Sequence, residues 1–350
     1  MRTMFVKPFL RLLRDGRLPA LLGVGAELKS FYKLTWLAAA GEAGLFSRLA
    51  DGPATFDSLA AFFAADGQGR EALEAWLQMG VRLRLLRLGP SGYALRGLAQ
   101  ALARPENDPA LAMVEEVAGL HHKLLCATLP KLRSGELWSL ADQDGELIAR
   151  SSRVLEAFQA EAIRHTFPAQ GALRLLEIGC GSGIYLRYAA SRNPSLTALG
   201  VELQPAVAEV ARTNLRGWGL ESRVRIEDGD MRAKAPGELF DMATLYNNIY
   251  YFPVEERVAL LEHIGSFLRR GGFLLLTTCC QGGSPAAEAL NLWGAATRGA
   301  GRLPAEDELV SQLRQAGYGR VKRTKLFPGD RFMAFQAFRE SGAVSRRVAV

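Results

Sequence analysis

The chain has 350 residues, 49% of them hydrophobic and 23% charged, a globular balance that excludes a wholly disordered or fibrous protein. No stretch approaches roughly 18 consecutive apolar residues, so no membrane-spanning helix and no membrane partner are expected. The net charge of +7 (43 basic against 36 acidic side chains) gathers toward the ends without a basic, aromatic-interleaved groove, so no nucleic-acid partner is expected.

Residues 1–105 read as helices followed by a short hairpin. The basic beginning lacks a clean apolar run with a processing site after it and reads as folded, cytoplasmic protein. Leu28, Phe31, Leu34, Leu37, Ala38, Leu45 and Phe46 recur on a helical period from Leu28 to Leu49. Asp51-Gly52-Pro53 is a turn, and short helices follow over 56–63 and 71–79. The Gly89-Pro90-Ser91-Gly92 turn separates two short alternating runs, which predicts a hairpin and, with the helices, a winged helix. Residues 106–168 form a helical bridge and lid, helical over 111–129 and 152–167, with a loop and a short helix over 134–147.

From 169 to 340 the pattern alternates strand and helix. Strands are expected at 173–178, 196–202, 224–227, 240–245, 273–278, 321–327 and 332–338. Helices fall at 183–191, 207–218, 255–269 and 306–315. This is an α/β, doubly wound, Rossmann-like sheet of seven strands, and the last pair, with no helix between, forms an antiparallel hairpin at its edge. A long connection over roughly 279–305 and a loose tail at 341–350 complete the chain.

The strongest motif is LRLLEIGCGSGIYL. A buried strand ends at Ile178, and Gly179, Gly181 and Gly183 turn the chain into a helix. Glycine permits the tight turn and lets a ligand approach the backbone. Dinucleotide folds also place three glycines after a strand, but with the spacing G-x-G-x-x-G. Here the spacing is G-x-G-x-G after Glu177, with no lysine or arginine in the loop. A carboxylate at that place suits a ligand bearing an ammonium group better than a pyrophosphate.

On these residues, 170–338 resembles the class I S-adenosylmethionine (SAM)-dependent methyltransferases. The resemblance implies SAM as cofactor, with Glu177, Gly179, Gly181 and Gly183 holding its methionine part. Glu202, ending the second strand in TALGVELQP, would bind the ribose hydroxyls, a pairing that charge-assisted hydrogen bonds favour. Asp230 in IEDGDMR would meet the adenine amine, and Met231 would pack on the ring. The N-terminal part, YKLTWLAAAGEAGLFSRLADGPATFDSLAAFF with ALEAWLQMGV and SGYAL, looks like the winged-helix dimerisation domain of small-molecule O-methyltransferases. It implies a homodimer.

The end of the fourth strand departs from that family. Its His-Asp-Trp-Pro region reads Tyr250-Tyr251-Phe252-Pro253 here, so Tyr250 stands where the general base is usual. A phenol of reference pKa about 10 is a poor base at neutral pH. Tyr246, Asn247, Tyr250 and Tyr251 are therefore expected to orient an acceptor or to stabilise positive charge through cation–π attraction. Tyr250 and Tyr251 are expected to face different ways, one into the core and one to the site.

Arg153, on the helix before the cofactor domain, is a candidate for the cofactor's carboxylate, because an arginine fork binds it in bidentate fashion. Asn291 and Trp293 in the long connection would cover the acceptor. At most one of His121 and His122 reaches a pocket, since neighbouring helix positions do not face each other, and His122 is the candidate. His165 and His263 read as structural. Cys126, Cys180, Cys279 and Cys280 show neither CxxC spacing nor nearby histidines, so no metal site or disulfide framework is expected.

The expectation is a methyltransferase acting on a small molecule of secondary metabolism by direct transfer without a histidine base. Two alternatives stay open. One is a cyclase that uses SAM as its sole substrate and closes its amino-acid end to azetidine-2-carboxylate, releasing methylthioadenosine. The other is a winged-helix regulator that senses SAM.

Overall fold

The computed structural model describes residues 6–339; the tail expected at 341–350 lies outside these. The described chain forms two compact units, residues 6–123 with Asp144–Val154, and Leu124–Gln143 with residues 155–339. The bridging segment 106–168 is thus divided between both units. Among the described residues no helix is long and apolar enough to cross a membrane.

The first unit opens with α1 (Val6–Arg14) and α2 (Arg17–Glu42), then α3 (Leu45–Ala50), α4 (Phe56–Phe62) and α5 (Gly67–Arg82). The single helix expected over 28–49 is broken because Gly44 turns left-handed, at φ +77°. Thr55 caps α4, accepting from the Ser58 amide at 3.3 Å. Strands β1 (Leu86–Gly89) and β2 (Gly92–Leu95) form the wing. A Cβ at Gly92 would lie 2.2 Å from the Ala54 carbonyl oxygen, so that position requires glycine. Trp36, Leu37, Leu45, Phe46, Leu59, Leu77 and Leu86 fill the core beneath. Helices α6 (Leu98–Leu102), α7 (Asp108–Glu116) and α9 (Gly145–Ser151) complete this unit. Arg150 of α9 grips Asp108 at 2.6 Å and the buried Glu115 at 3.2 Å, both on α7.

The second unit takes α8 (His122–Ser134) from Leu124 onward, then α10 (Glu156–Thr166). Next come β3 (Leu173–Ile178), α11 (Ile184–Arg192), β4 (Leu196–Glu202), α12 (Pro205–Gly217), β5 (Val224–Asp228), β6 (Phe240–Tyr246) and α13 (Arg257–Ser266). The series ends with β7 (Leu268–Cys279), α14 (Pro285–Ala296), α15 (Glu306–Gln315), β8 (Tyr318–Lys325) and β9 (Phe332–Arg339). The seven strands lie in the order β5-β4-β3-β6-β7-β9-β8. All run parallel except β9, which pairs antiparallel with both neighbours and inserts between β7 and the edge strand β8.

Strand order reverses between β3 and β6, and a crevice outside the carboxyl ends of the strands at such a switch point is the usual ligand site of an open α/β sheet. Two local departures matter. Strand β7 begins at Leu268 rather than near 273, because α13 ends at Ser266 and the glycine pair 271–272 packs the early strand against β6; a Cβ at Gly272 would lie 2.9 Å from the Asp241 carbonyl. The long connection contains α14, capped by Ser284 with Pro285 at its first position.

Candidate active site

The glycine motif forms the tight turn that its spacing predicts. Gly179, Gly181 and Gly183 sit at φ +66°, +53° and +79°, conformations that side-chain-bearing residues rarely adopt. A Cβ at Gly179 would lie 2.3 Å from Asn248 Nδ2, while one at Gly181 meets nothing within 4 Å, so the loop is open at its centre. Glu202, buried at the end of β4, accepts from the Gly181 amide at 3.0 Å and the Gln204 amide at 3.1 Å. Each carboxylate oxygen retains acceptor capacity for a hydroxyl.

Beside this loop, at the switch point, a row of polar side chains lies on one sheet face. Glu177 of β3 pairs in register with Thr244 of β6, and Tyr246 of β6 pairs with Thr277 of β7. Thr244 Oγ1 donates to Glu177 Oε2 at 3.4 Å, and Thr277 Oγ1 donates to Gln159 Oε1 of α10 at 2.6 Å. Glu177 Oε1, the Tyr246 hydroxyl, Gln159 Nε2, Asn247 Oδ1 and Asn248 Oδ1 are all buried without a hydrogen-bond partner. Native proteins leave few such atoms, because each costs about 1–3 kcal/mol unpaired. Burial pushes the Glu177 carboxyl up to about 8, opposed by the Thr244 hydrogen bond, so it is mostly neutral at pH 7. Burial, then the neighbouring Glu177, also hold the Tyr246 phenol well above its ordinary value. Tyr246 is thus a hydrogen-bonding group rather than a base.

The other sequence candidates are placed as follows. Asp230 follows β5 and is forked by Arg232, whose Nη2 lies 2.8 Å from its Oδ2; that hydrogen bond holds the Asp230 carboxyl below its ordinary value. Arg232 also reaches Glu256 at 3.1 Å. Met231 is buried, and its carbonyl meets His263 Nε2 at 3.0 Å. Asn247 follows β6 in a left-handed conformation, φ +54°, with its amide bonded to the Thr277 carbonyl at 2.8 Å. Asn248 donates to the Ile178 carbonyl at 2.9 Å, tying this turn to the glycine loop.

Tyr250 and Tyr251 do not face different ways. They lie in one tight 3-10 turn, their ring centres 6.4 and 5.4 Å from the buried Trp293 of α14. Trp138, Leu124 and Leu303 close this aromatic cluster. Asn291 turns elsewhere: its Oδ1 accepts from the Leu303 amide at 2.9 Å, and its Nδ2 donates to Glu288 at 3.1 Å. The Arg257 side chain, fully buried, donates to the carbonyls of Phe252 at 3.2 Å and Arg302 at 2.6 Å, joining the tyrosine turn to the segment after α14. The thiols of Cys279 and Cys280 are pushed up to about 12 by burial, which leaves them inert fillers.

His122 and Arg153 belong to the first unit, where the His122 ring lies 6.0 Å from Phe31. In the second unit, His263 packs on Phe267, and the exposed His165 pairs with Glu161 at 2.7 Å. Sequence reasoning missed Gln159, Thr277, Arg232 and Arg257. Gln159 carried a signal, because it interrupts the apolar stripe Leu155-Ala162-Ile163 of a helix that otherwise buries carbon.

Residues 175–272 match the family described as a methyltransferase domain. A ubiquinone biosynthesis O-methyltransferase of Xanthomonas euvesicatoria pv. vesicatoria (strain 85-10) is 32% identical over 123 residues, 35% of this chain and 48% of that one. The N,N-dimethyltransferase OxyT of Streptomyces rimosus is 28% identical over 263 residues, 71% of this chain and 75% of that one. The chain therefore spans about half the length of the first of these relatives and three quarters of the second. Among solved structures, the mitomycin 7-O-methyltransferase MmcR superposes with a TM-score of 0.78 at 22% identity, over 93% of this chain and 99% of that one. Residues 175–272 thus match a methyltransferase domain, and the chain shares its fold with the mitomycin 7-O-methyltransferase MmcR.

Proposed function

We propose that this protein methylates an amine nitrogen on a small, flat acceptor of secondary metabolism, by positioning and without a histidine base. The observation that carries this reading is the end of β6, where Tyr246, Asn247, Tyr250 and Tyr251 stand and where neither histidine of the second unit is found. The overlap with an N,N-dimethyltransferase across 71% of the chain supports a nitrogen nucleophile.

The residues present fit the cofactor. The unpartnered Glu177 oxygen suits an ammonium, the open face at Gly181 suits a close-lying chain, and Glu202 suits vicinal hydroxyls. Asp230 and Met231 would hold the adenine end. When bound, SAM supplies a methyl group made electrophilic by its sulfonium. The protein then has to align a nucleophile and tolerate positive charge. The faces of Tyr250, Tyr251 and Trp293 offer cation–π stabilisation of about 1–2 kcal/mol in a desolvated site. Asn247 Oδ1, buried and unpartnered, accepts an N–H of the nucleophile and so turns its lone pair toward the methyl.

An aromatic amine carries that lone pair at neutral pH and sheds a proton only after the new bond forms, so it needs no strong base. A phenol must be deprotonated first. We read the exposed apolar face of α1 and α2 as a homodimer surface. The test is turnover of SAM with matched aromatic amines and phenols at pH 7, read as S-adenosylhomocysteine by mass spectrometry. Amines turned over at least about tenfold faster support the reading, and faster phenols overturn it.

A further inference from the structure

The row at the switch point continues past Glu177, and its far members have no assigned partner. Gln159 is fully buried, although a buried primary amide is costly unless both of its ends are bonded. Thr277 holds only the Oε1 end, at 2.6 Å, and so fixes the plane of the amide while leaving Nε2 unpartnered. One strand over, in register with Thr277, the buried Tyr246 hydroxyl is likewise unpartnered, and its ring is steadied edge-on by Tyr185 at 5.2 Å. Glu177 offers an acceptor at the near end of the row. An acceptor beside two donors complements a zwitterion.

We propose that Gln159 and Tyr246 recognise the α-carboxylate of the cofactor's amino-acid end, while Glu177 takes its ammonium, so that this row makes the site specific for an intact α-amino acid. The proposal rests on SAM as the cofactor. It assigns the carboxylate contact to α10, within the cofactor unit, in place of Arg153. The neutral state that burial gives Glu177 accords with it, because an empty row then holds no uncompensated charge.

The experiment is calorimetric titration of the full chain with three probes: S-adenosylhomocysteine, its decarboxylated analogue, and 5′-methylthioadenosine, which lacks the amino-acid end. Wild type should prefer S-adenosylhomocysteine over the decarboxylated analogue. Gln159→Leu should weaken S-adenosylhomocysteine about 10- to 100-fold, the range for one hydrogen bond to a charged group, and leave methylthioadenosine within about twofold. Gln159→Glu, close in shape, should weaken S-adenosylhomocysteine further and spare the decarboxylated analogue, so a folding defect in the leucine variant would not decide the matter.

Equal weakening of all three probes, or none, overturns the proposal. So does a loss of carboxylate preference in Arg153→Ala but not in the Gln159 variants. Wild type that binds none of the probes would instead contradict the cofactor reading itself.

Discussion

Glu177 shows how one buried carboxylate couples ligand binding, charge and stability. Its folded value of about 8 stands above the ordinary carboxylate value near 4.3. Between those values the unfolded chain has lost the proton and the folded chain keeps it, so stability falls as pH rises through this window, with the full cost present above about 8. Glu177→Gln should therefore raise the melting temperature of the ligand-free protein by about 2–4 °C or more at pH 8, and by much less at pH 5. In wild type, S-adenosylhomocysteine binding should expel the Glu177 proton, and affinity should rise up to about tenfold per pH unit from 6 to 8 and then level. A flat profile by calorimetry would sink this assignment. Glu177 and the glycines were legible because a strand must end there and a turn must take left-handed residues. Gln159 was legible only as a polar break in an apolar stripe; its partner was not, because pairings across β3, β6 and β7, and which strand residue α10 meets, are set by the folded sheet.

At the scale of elements, strands and capped helices were legible wherever periodicity and turn residues agreed, as in β3, β4 and the wing. Helix α14 was hidden by its alanines, although Ser284-Pro285 marked its start. The shared facing of Tyr250 and Tyr251 was missed because adjacent residues were assumed to diverge. A 3-10 turn followed by packing against Trp293 puts both rings in one cluster. In the first unit, Phe9, Leu10 and Leu13 of α1 and Leu21, Leu22 and Val24 of α2 are more than half exposed. Apolar side chains in such number seldom stay bare on a monomer. Sedimentation should give a mass of about twice 38.1 kDa, and Leu10→Glu with Leu13→Glu should shift the protein toward monomer. A monomeric wild type at micromolar concentration would contradict the dimer.

For the whole molecule, cofactor chemistry in the proposed reading falls to the second unit and subunit pairing to the first. Within the second unit the glycine loop, Glu202 and the row from Glu177 to Gln159 gather at the carboxyl ends of β3, β4, β6 and β7, with the aromatic cluster of Tyr250, Tyr251 and Trp293 following the end of β6. In the proposed reading, that arrangement serves methyl transfer to an acceptor. It also resembles what a SAM cyclase would need, since an aromatic lining and a missing histidine are compatible with both reactions. The measurement that separates them most directly is incubation with SAM carrying a trideuterated methyl group, with and without an aromatic amine, read by mass spectrometry against an enzyme-free control. The account predicts the label in the amine and S-adenosylhomocysteine alongside it, with no turnover when the amine is withheld. Label retained in methylthioadenosine together with a new four-carbon amino acid, formed without any acceptor, would contradict it.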